Sequence, residues 1–305
     1  MVMDLSRESK FILVQEIQNY INENIDREDF SADDICAHFA YSIRHINRVF
    51  CEVLGKTTNE YINSIRLSKS AQDIDDYNTI LDAALDCGYS SQQGYAKAFF
   101  KMFGCQPAKY KTKKPMIPLY ISYPVRHYYE HYYGKGENKM NSETIVCTAY
   151  AVSRPKRKMI ILYSEKATDY FTFCEEKCCD WEGYLNSNPH KLDTAAILKL
   201  PSALVKEGCS DIAAGIEIPL DCEIEKLLDG YEIIELEPCE LMYFKSQPYD
   251  NDNDYCKYID AVNKAFDEFD FKAMGYEFDL KCAPTMNFGA QKENGARIAV
   301  PVKKI

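Results

Sequence analysis

A chain of 305 residues, 46% hydrophobic and 27% charged, has the length for two or three domains and the composition of a soluble globular protein. No apolar run approaches the ~18 residues that cross a bilayer, and residues 1–10 lack the apolar core of a secretory signal, so a cytoplasmic protein with no membrane partner is expected. The net charge of −11 is uneven: residues 1–114 carry 14 Lys+Arg against 16 Asp+Glu, and the remainder 22 against 31, which places the acid mostly in the second part.

Leu13, Ile17, Tyr20 and Ile21 follow helical spacing and predict an amphipathic helix. Ser31-Ala-Asp-Asp34 resembles a capping box and opens a second helix through Ile35 and Phe39. Ser42 caps a third helix, to Leu54. At 100° per residue, Ile46, Val49, Phe50, Val53 and Leu54 share one face, and Arg44, Asn47, Arg48 and Cys51 the other. Residues Thr57 to about Ile74 read as one long helix.

The pattern then repeats. Thr79-Ile-Leu-Asp82 is a second capping sequence, with Ala83, Ala84 and Leu85 as apolar contacts. Gly88-Tyr-Ser-Ser91 reads as a helix stop, a turn and a new N-cap. In the following helix Tyr95, Phe99, Met102 and Phe103 face a core, while Gln93, Ala96, Lys97 and Phe100 face away. Arg48-Val-Phe50 with Gly55 recurs as Lys97-Ala-Phe99 with Gly104, at an offset of 49 residues. Two similar helices at constant spacing suit a repeating target, and the major groove of DNA returns about every 34 Å on one face. Lys97, Lys101, Lys109, Lys111, Lys113 and Lys114 span a stretch without an acid, as phosphate contact requires. Arg takes guanine bidentately and Asn takes adenine.

Ser31…Phe39, Ser42…Phe50, Gly55, Tyr61-Ile62, Arg66 and Ala71 resemble the first half of an AraC/XylS-type DNA-binding domain. Ile80-Leu81, Ala84, Gly88-Tyr89, Ser91, Phe99, Gly104, Pro107 and Tyr110 resemble its second half. The resemblance covers roughly residues 8–112 and implies two helix-turn-helix units joined by a helix. It implies base readers at Arg44, Asn47 and Arg48 in the first unit, and at Gln92, Gln93, Ala96 and Lys97 in the second. Lys101 and Lys111 are the expected phosphate contacts. Phe100, where a basic residue is common, and the acidic run Asp73, Asp75, Asp76 depart from the family pattern.

Residues 113–156 read as a linker: Pro115, Pro118 and Pro124 interrupt helix, Tyr and His cluster over 120–133, and residues 134–139 form a polar hinge. The aromatic cluster is expected to pack on a domain. His127 and His131, at i,i+4 spacing, have no further ligands nearby to complete a metal site.

A second duplication follows. Met159–Ser164 aligns with Leu241–Ser246, and Ala214–Pro219 with Ala296–Pro301, both offset by 82 residues. Each copy reads strand, helix (about 168–186 and 253–268), then strands. Such paired halves leave a crevice suited to a small molecule. With Gly230-Tyr-Glu, Phe244, Ser246-Gln-Pro248, Tyr249 and Gly275-Tyr-Glu, residues 157–303 resemble the GyrI-like effector-binding domain. That resemblance implies a pocket for bulky aromatic or cationic compounds against a buried carboxylate. Met286 and Asn287 stand where the carboxylate is common, which leaves Glu217, Glu175 or Glu176 to substitute. The candidate ligand residues are Tyr163, Tyr170, Phe173, Trp181, Glu217, Phe244, Tyr249, Tyr276, Met286 and Phe288; the aromatic residues and Met286 are each more often core than ligand contact, and Glu217 is more often a solvated surface acid. Cys174 and Cys178 share a face of a helix, a spacing open to metal or redox sensing, but with Cys179 they do not complete a four-ligand metal site, and free Cys is more often buried core. The odd number and irregular spacing of the 13 cysteines argue against a disulfide framework.

The expected architecture is α+β multidomain: an all-α tandem helix-turn-helix domain over 1–112, a linker over 113–156, and an α+β duplicated domain over 157–305. The expected function is ligand-modulated, sequence-specific regulation of transcription, without cofactor or metal. The expected partners are double-stranded DNA, a small-molecule effector and RNA polymerase. The alternatives are hydrolase activity in the C-terminal domain, for which Trp181-Glu182 and Glu217 supply a carboxylate, and a ligand-independent regulator that uses that domain to recruit partners.

Overall fold

The computed structural model describes residues 6–27, 29–133, 144–251, 254–279 and 281–305, which divide into two compact units. The first unit is helical: α1 (Arg7–Asn24), α2 (Ala32–Phe39), α3 (Ile43–Leu54), α4 (Thr58–Gln72), α5 (Ile80–Asp86), α6 (Gln92–Phe103), α7 (Pro107–Lys113) and α8 (Val125–Tyr133). The local signals do the delimiting. Ser42 and Ser91 accept from the amides of His45 and Gly94, while Thr57 with Glu60 and Thr79 with Asp82 form capping boxes. Gly55 and Gly104 end α3 and α6 in the left-handed region, at φ 69° and 72°, where a side chain is strained. Helices α3 and α6 therefore match in length, cap and termination, 49 residues apart. Leu85 is half exposed rather than a core contact.

Phe50 and Phe99 are fully buried at corresponding places. Phe50 meets Tyr61 edge-on at 5.2 Å, and Phe99 packs with Tyr95, Phe103 and Tyr110. Arg66 of α4 donates to the carbonyls of Arg27 and Phe30, both at 3.0 Å, tying the turn after α1 to the central helix.

Residues 113–156 do not form one linker. Residues 115–118 belong to the second unit, and Leu119 to Tyr133 packs on the first. The buried Gln18 side chain donates to Tyr61 and to the Tyr123 carbonyl and accepts from Val125 N. Tyr120 meets Tyr61, and Tyr129 meets Phe11 at 5.1 Å. The aromatic cluster thus completes the helical core. The side chains of His127 and His131, and the 134–139 hinge, lie outside the described residues.

The second unit begins before residue 157. Its strands are β1 (Cys147–Arg154), β2 (Arg157–Tyr163), β3 (Ala196–Lys199), β4 (Ile212–Pro219), β5 (Tyr231–Leu236), β6 (Cys239–Ser246), β7 (Tyr276–Phe278), β8 (Thr285–Gln291) and β9 (Gly295–Lys304). Its helices are α9 (Tyr170–Lys177), α10 (Asp180–Asn186) and α11 (Tyr255–Asp267). The sheet order is β1-β6-β9-β8-β3-β4-β2-β5, all antiparallel, with β7 added on β9. The order is palindromic about the β3·β8 pair, so β2 and β6, β4 and β9, and β1 and β5 occupy equivalent places. Each repeat's first strand crosses to the other repeat: β1 pairs β6, and β5 pairs β2.

Strand alternation assigns the two faces. Ile160, Leu162, Ile216 and Ile218 face α9 and α10, with Phe173 and Trp181. Phe244, Ile298 and Val300 face α11, with Tyr249 and Tyr258. The opposite, inner face is common to both repeats and buries Met159, Ile161, Leu198, Leu241, Tyr243, Met286 and Phe288. Gly215 sits on it with no room for a side chain: a Cβ there would stand 2.8 Å from Leu198 Cδ1.

Candidate functional site

In the first unit, α3 and α6 stand on buried Phe residues and turn their polar faces outward. Arg44 and Arg48 on α3, and Gln92, Gln93, Lys97 and Lys101 on α6, are exposed; Ala96 is half-buried. Phe100 is 50% exposed on the same side as Lys97, an apolar group on an otherwise polar helix face. Tyr41 and Ile43, at the start of α3, are also exposed, and Tyr41 stacks on His45 at 4.7 Å. Sequence reading missed both: Tyr41 precedes the Ser42 cap, and Ile43, the first residue of α3, stands apart from the apolar stripe that begins at Ile46.

Two expected contacts are occupied inside the protein. Asn47 Oδ1 accepts from Thr58 N at 3.1 Å and Thr58 Oγ1 at 2.9 Å, so this side chain caps the start of α4. Lys111 Nζ donates to the Tyr77 carbonyl and is half-buried. The acidic run is partly neutralised, since Asp75 pairs with Lys114 at 2.7 Å. What remains on the surface is a cationic face on α3 and a cationic, amide-bearing face on α6, the equipment for phosphate and base-edge contact.

The expected ligand residues of the second unit do not converge. Tyr170, Phe173 and Trp181 lie under α9 and α10, Phe244, Tyr249 and Tyr276 under α11, and Tyr163, Met286 and Phe288 on the inner face. All but Met286 are aromatic, but they face three different cores.

Glu217 also lies on the inner face, fully buried, but both its oxygens are taken. Arg157 Nε donates to Oε1 at 2.5 Å and Arg154 Nε to Oε2 at 3.2 Å. Arg154 Nη2 continues to Tyr243 Oη at 2.7 Å, and Tyr243 Oη donates to Asp193 at 3.2 Å. Asp193 accepts from Arg297 Nη1 at 2.7 Å. None of these partners was identified from sequence; the run Arg154-Pro-Lys-Arg157 between two strands was the available signal. Glu175 is exposed on α9; Glu176 accepts from Ser164 Oγ at 2.6 Å and is held by the turn after β2. Burial pushes the Glu182 carboxyl up to about 8. Cys178 is exposed at φ 63°, whereas Cys174 is buried against Cys179.

A family model described as a helix-turn-helix domain matches residues 35–113. The transcriptional activator AarP of Providencia stuartii is 33% identical over 100 residues, 32% of this chain and 73% of AarP. The probable transcription factor PqrA of Proteus vulgaris is 32% identical over 106 residues, 34% of this chain and 87% of PqrA. The chain belongs to the AraC/XylS family of helix-turn-helix regulators. As an AraC/XylS regulator it binds DNA and controls transcription. The transcriptional regulator Rob of Salmonella typhimurium is 32% identical over 115 residues, 37% of this chain and 39% of Rob. The chain thus spans about two fifths of Rob's length in that match, and the sheet domain lies outside the family-model match. No helix among the described residues is long and apolar enough to cross a membrane.

Proposed function

We propose that α3 and α6 enter consecutive major-groove segments of one duplex and read an asymmetric site. The observation that carries this reading is the matched geometry of the two helices: same caps, same buried Phe, same outward cationic position. The base readers are Arg44 and Arg48 on α3 and Gln92, Gln93 and Lys97 on α6, with Ala96 as an apolar contact and Lys101 on phosphate. The exposed Phe100 and Ile43 suit thymine methyls. Two arginines on α3 against one lysine on α6 make the first half-site the stronger discriminator.

The sheet domain acts in this reading as a GyrI-like effector domain. Its support is the palindromic strand order of two equivalent repeats. A small aromatic or apolar molecule binds it and favours one state of the regulator, since a ligand shifts an equilibrium only by its differential affinity. Where the regulator activates, RNA polymerase is its protein partner. Selection of binding sites from a random duplex pool, followed by footprinting, tests the first half. Protection of two segments one helical turn apart on one face is expected; protection of a single segment refutes the paired-helix reading. For the second half, an effector must change the affinity of the full chain for the selected site.

A further inference from the structure

We infer that the inner face of the sheet domain takes a small aromatic carboxylate rather than a cation. The inference rests on the effector reading above and names the class of effector.

The first ground is that the only carboxylate buried on this face among the described residues, Glu217, is already held by two guanidinium groups. An incoming cation would have to displace Arg154 or Arg157, and the buried Arg157 would then lack its countercharge, which is strongly unfavourable. The second ground is the charge balance. Among the described residues Arg154, Arg157 and Arg297 are offset by Glu217 and Asp193 alone. Lys245 adds to the excess. It stands directly opposite Arg297 in the β6·β9 register, on the same inner side, and has no ion pair among the described residues. Like charges facing each other across strands repel, and an anion between them converts that repulsion to attraction.

The third ground is donor geometry. Arg154 directs Nε to Glu217 and Nη2 to Tyr243, while Arg297 directs Nη1 to Asp193 and Nη2 to Thr194. Each guanidinium keeps one nitrogen without an acceptor among the described residues, Nη1 of Arg154 and Nε of Arg297. The two side chains are 17% and 12% exposed. Planar guanidinium donors suit a carboxylate.

The fourth ground specifies the ring. Tyr150, Tyr243 and Phe288 form a layered stack, with centroids 5.6 and 5.9 Å apart and planes within 10° and 13°. Tyr150 is 44% exposed at the end of that stack, which leaves a face for one further planar group. The guanidinium groups lie along the same stack, Arg154 over Tyr243 and Arg297 over Phe288.

The test uses the full chain and three probes of one shape: 1-naphthoate, 1-naphthylmethanol and 1-naphthylmethylammonium, by calorimetric titration at about 0.1 M salt. Naphthoate is expected to bind at least tenfold more tightly than the ammonium compound, with the alcohol between. Lys245→Gln should weaken naphthoate several-fold and leave the alcohol unchanged, whereas Tyr150→Leu should weaken both alike. These two positions lie outside the Glu217 pair, and their melting curves report folding independently. Tighter binding of the ammonium compound overturns the inference and leaves the effector reading standing. Binding of naphthoate that neither substitution alters places it elsewhere and also overturns the inference. Failure of all three probes to bind overturns it as well; a screen in which no compound of any charge alters DNA affinity removes the effector reading itself.

Discussion

Replacing Asn47 separates two roles that its sequence position leaves open. In the structure its oxygen satisfies the first amide of α4 and the hydroxyl of Thr58, a residue with no solvent exposure. Asn47→Ala strands both groups. Each lost hydrogen bond costs about 0.5–1.5 kcal/mol, and more where the partner stays buried and unsatisfied, so the pair is worth about 2–3 kcal/mol. At roughly 4 °C per kcal/mol for a unit of this size, the melting point of the helical unit should fall by about 8–12 °C. Asn47→Asp keeps the acceptor and places a negative charge at a helix N-terminus, which is favourable, so it should restore most of the loss. A base reader would behave oppositely, because Asp lacks the amide donor that adenine recognition uses. Thermal melts of the three proteins, with site selection from random duplexes, decide between the roles. Normal stability of Asn47→Ala with relaxed base preference would refute the capping argument.

Arg48→Ala should relax discrimination at one base position at a cost of about 1–3 kcal/mol, whereas Lys101→Ala should weaken all sequences alike and lower the salt slope by about 1; equal effects on specific and random DNA for both would contradict the assignment. Gly55→Ala and Gly104→Ala meet no atom within 4 Å, so their cost is backbone strain alone, roughly 1–2 kcal/mol each by chemical denaturation. Gly215→Ala drives its Cβ against Leu198 and the Ile160 carbonyl and should destabilise the sheet domain by about 1–3 kcal/mol. For Glu182, whose folded carboxyl is pushed up to about 8, the unfolded chain ionises first, near 4.5. Stability is therefore fully present at low pH and declines as pH rises through about 8; Glu182→Gln should raise the melting point more at pH 9 than at pH 5, and an equal shift at both would refute the raised carboxyl.

Local signals were legible wherever their partners lie within a turn. Ser42, Thr57, Thr79 and Ser91 cap as their spacing implies, and Gly55 and Gly104 close the helices they follow. The apolar phase of α3 and α6 likewise put Phe50 and Phe99 inside. Less legible were partners distant in the chain. Nothing in the spacing of Asn47 brings Thr58 to it, and nothing near Lys111 points to the Tyr77 carbonyl. In the sheet domain the 82-residue repeat was visible, but the register was not. Aromatic residues on alternate faces of a strand look alike in sequence, so Phe244 and Phe288 could not be assigned to opposite sides.

The crossed first strands of the sheet domain have a consequence for how it folds. Because β1 completes the second repeat and β5 the first, neither repeat contains the partner of its own outermost strand. A fragment holding one repeat would keep an open backbone edge and a strand with nothing to pair, and two copies of that fragment would satisfy each other by reciprocal exchange. The domain is in this sense a dimer written on one chain. Its two parts must form in a single cooperative event, after long-range closure, which makes its assembly slower than that of the locally connected helical unit.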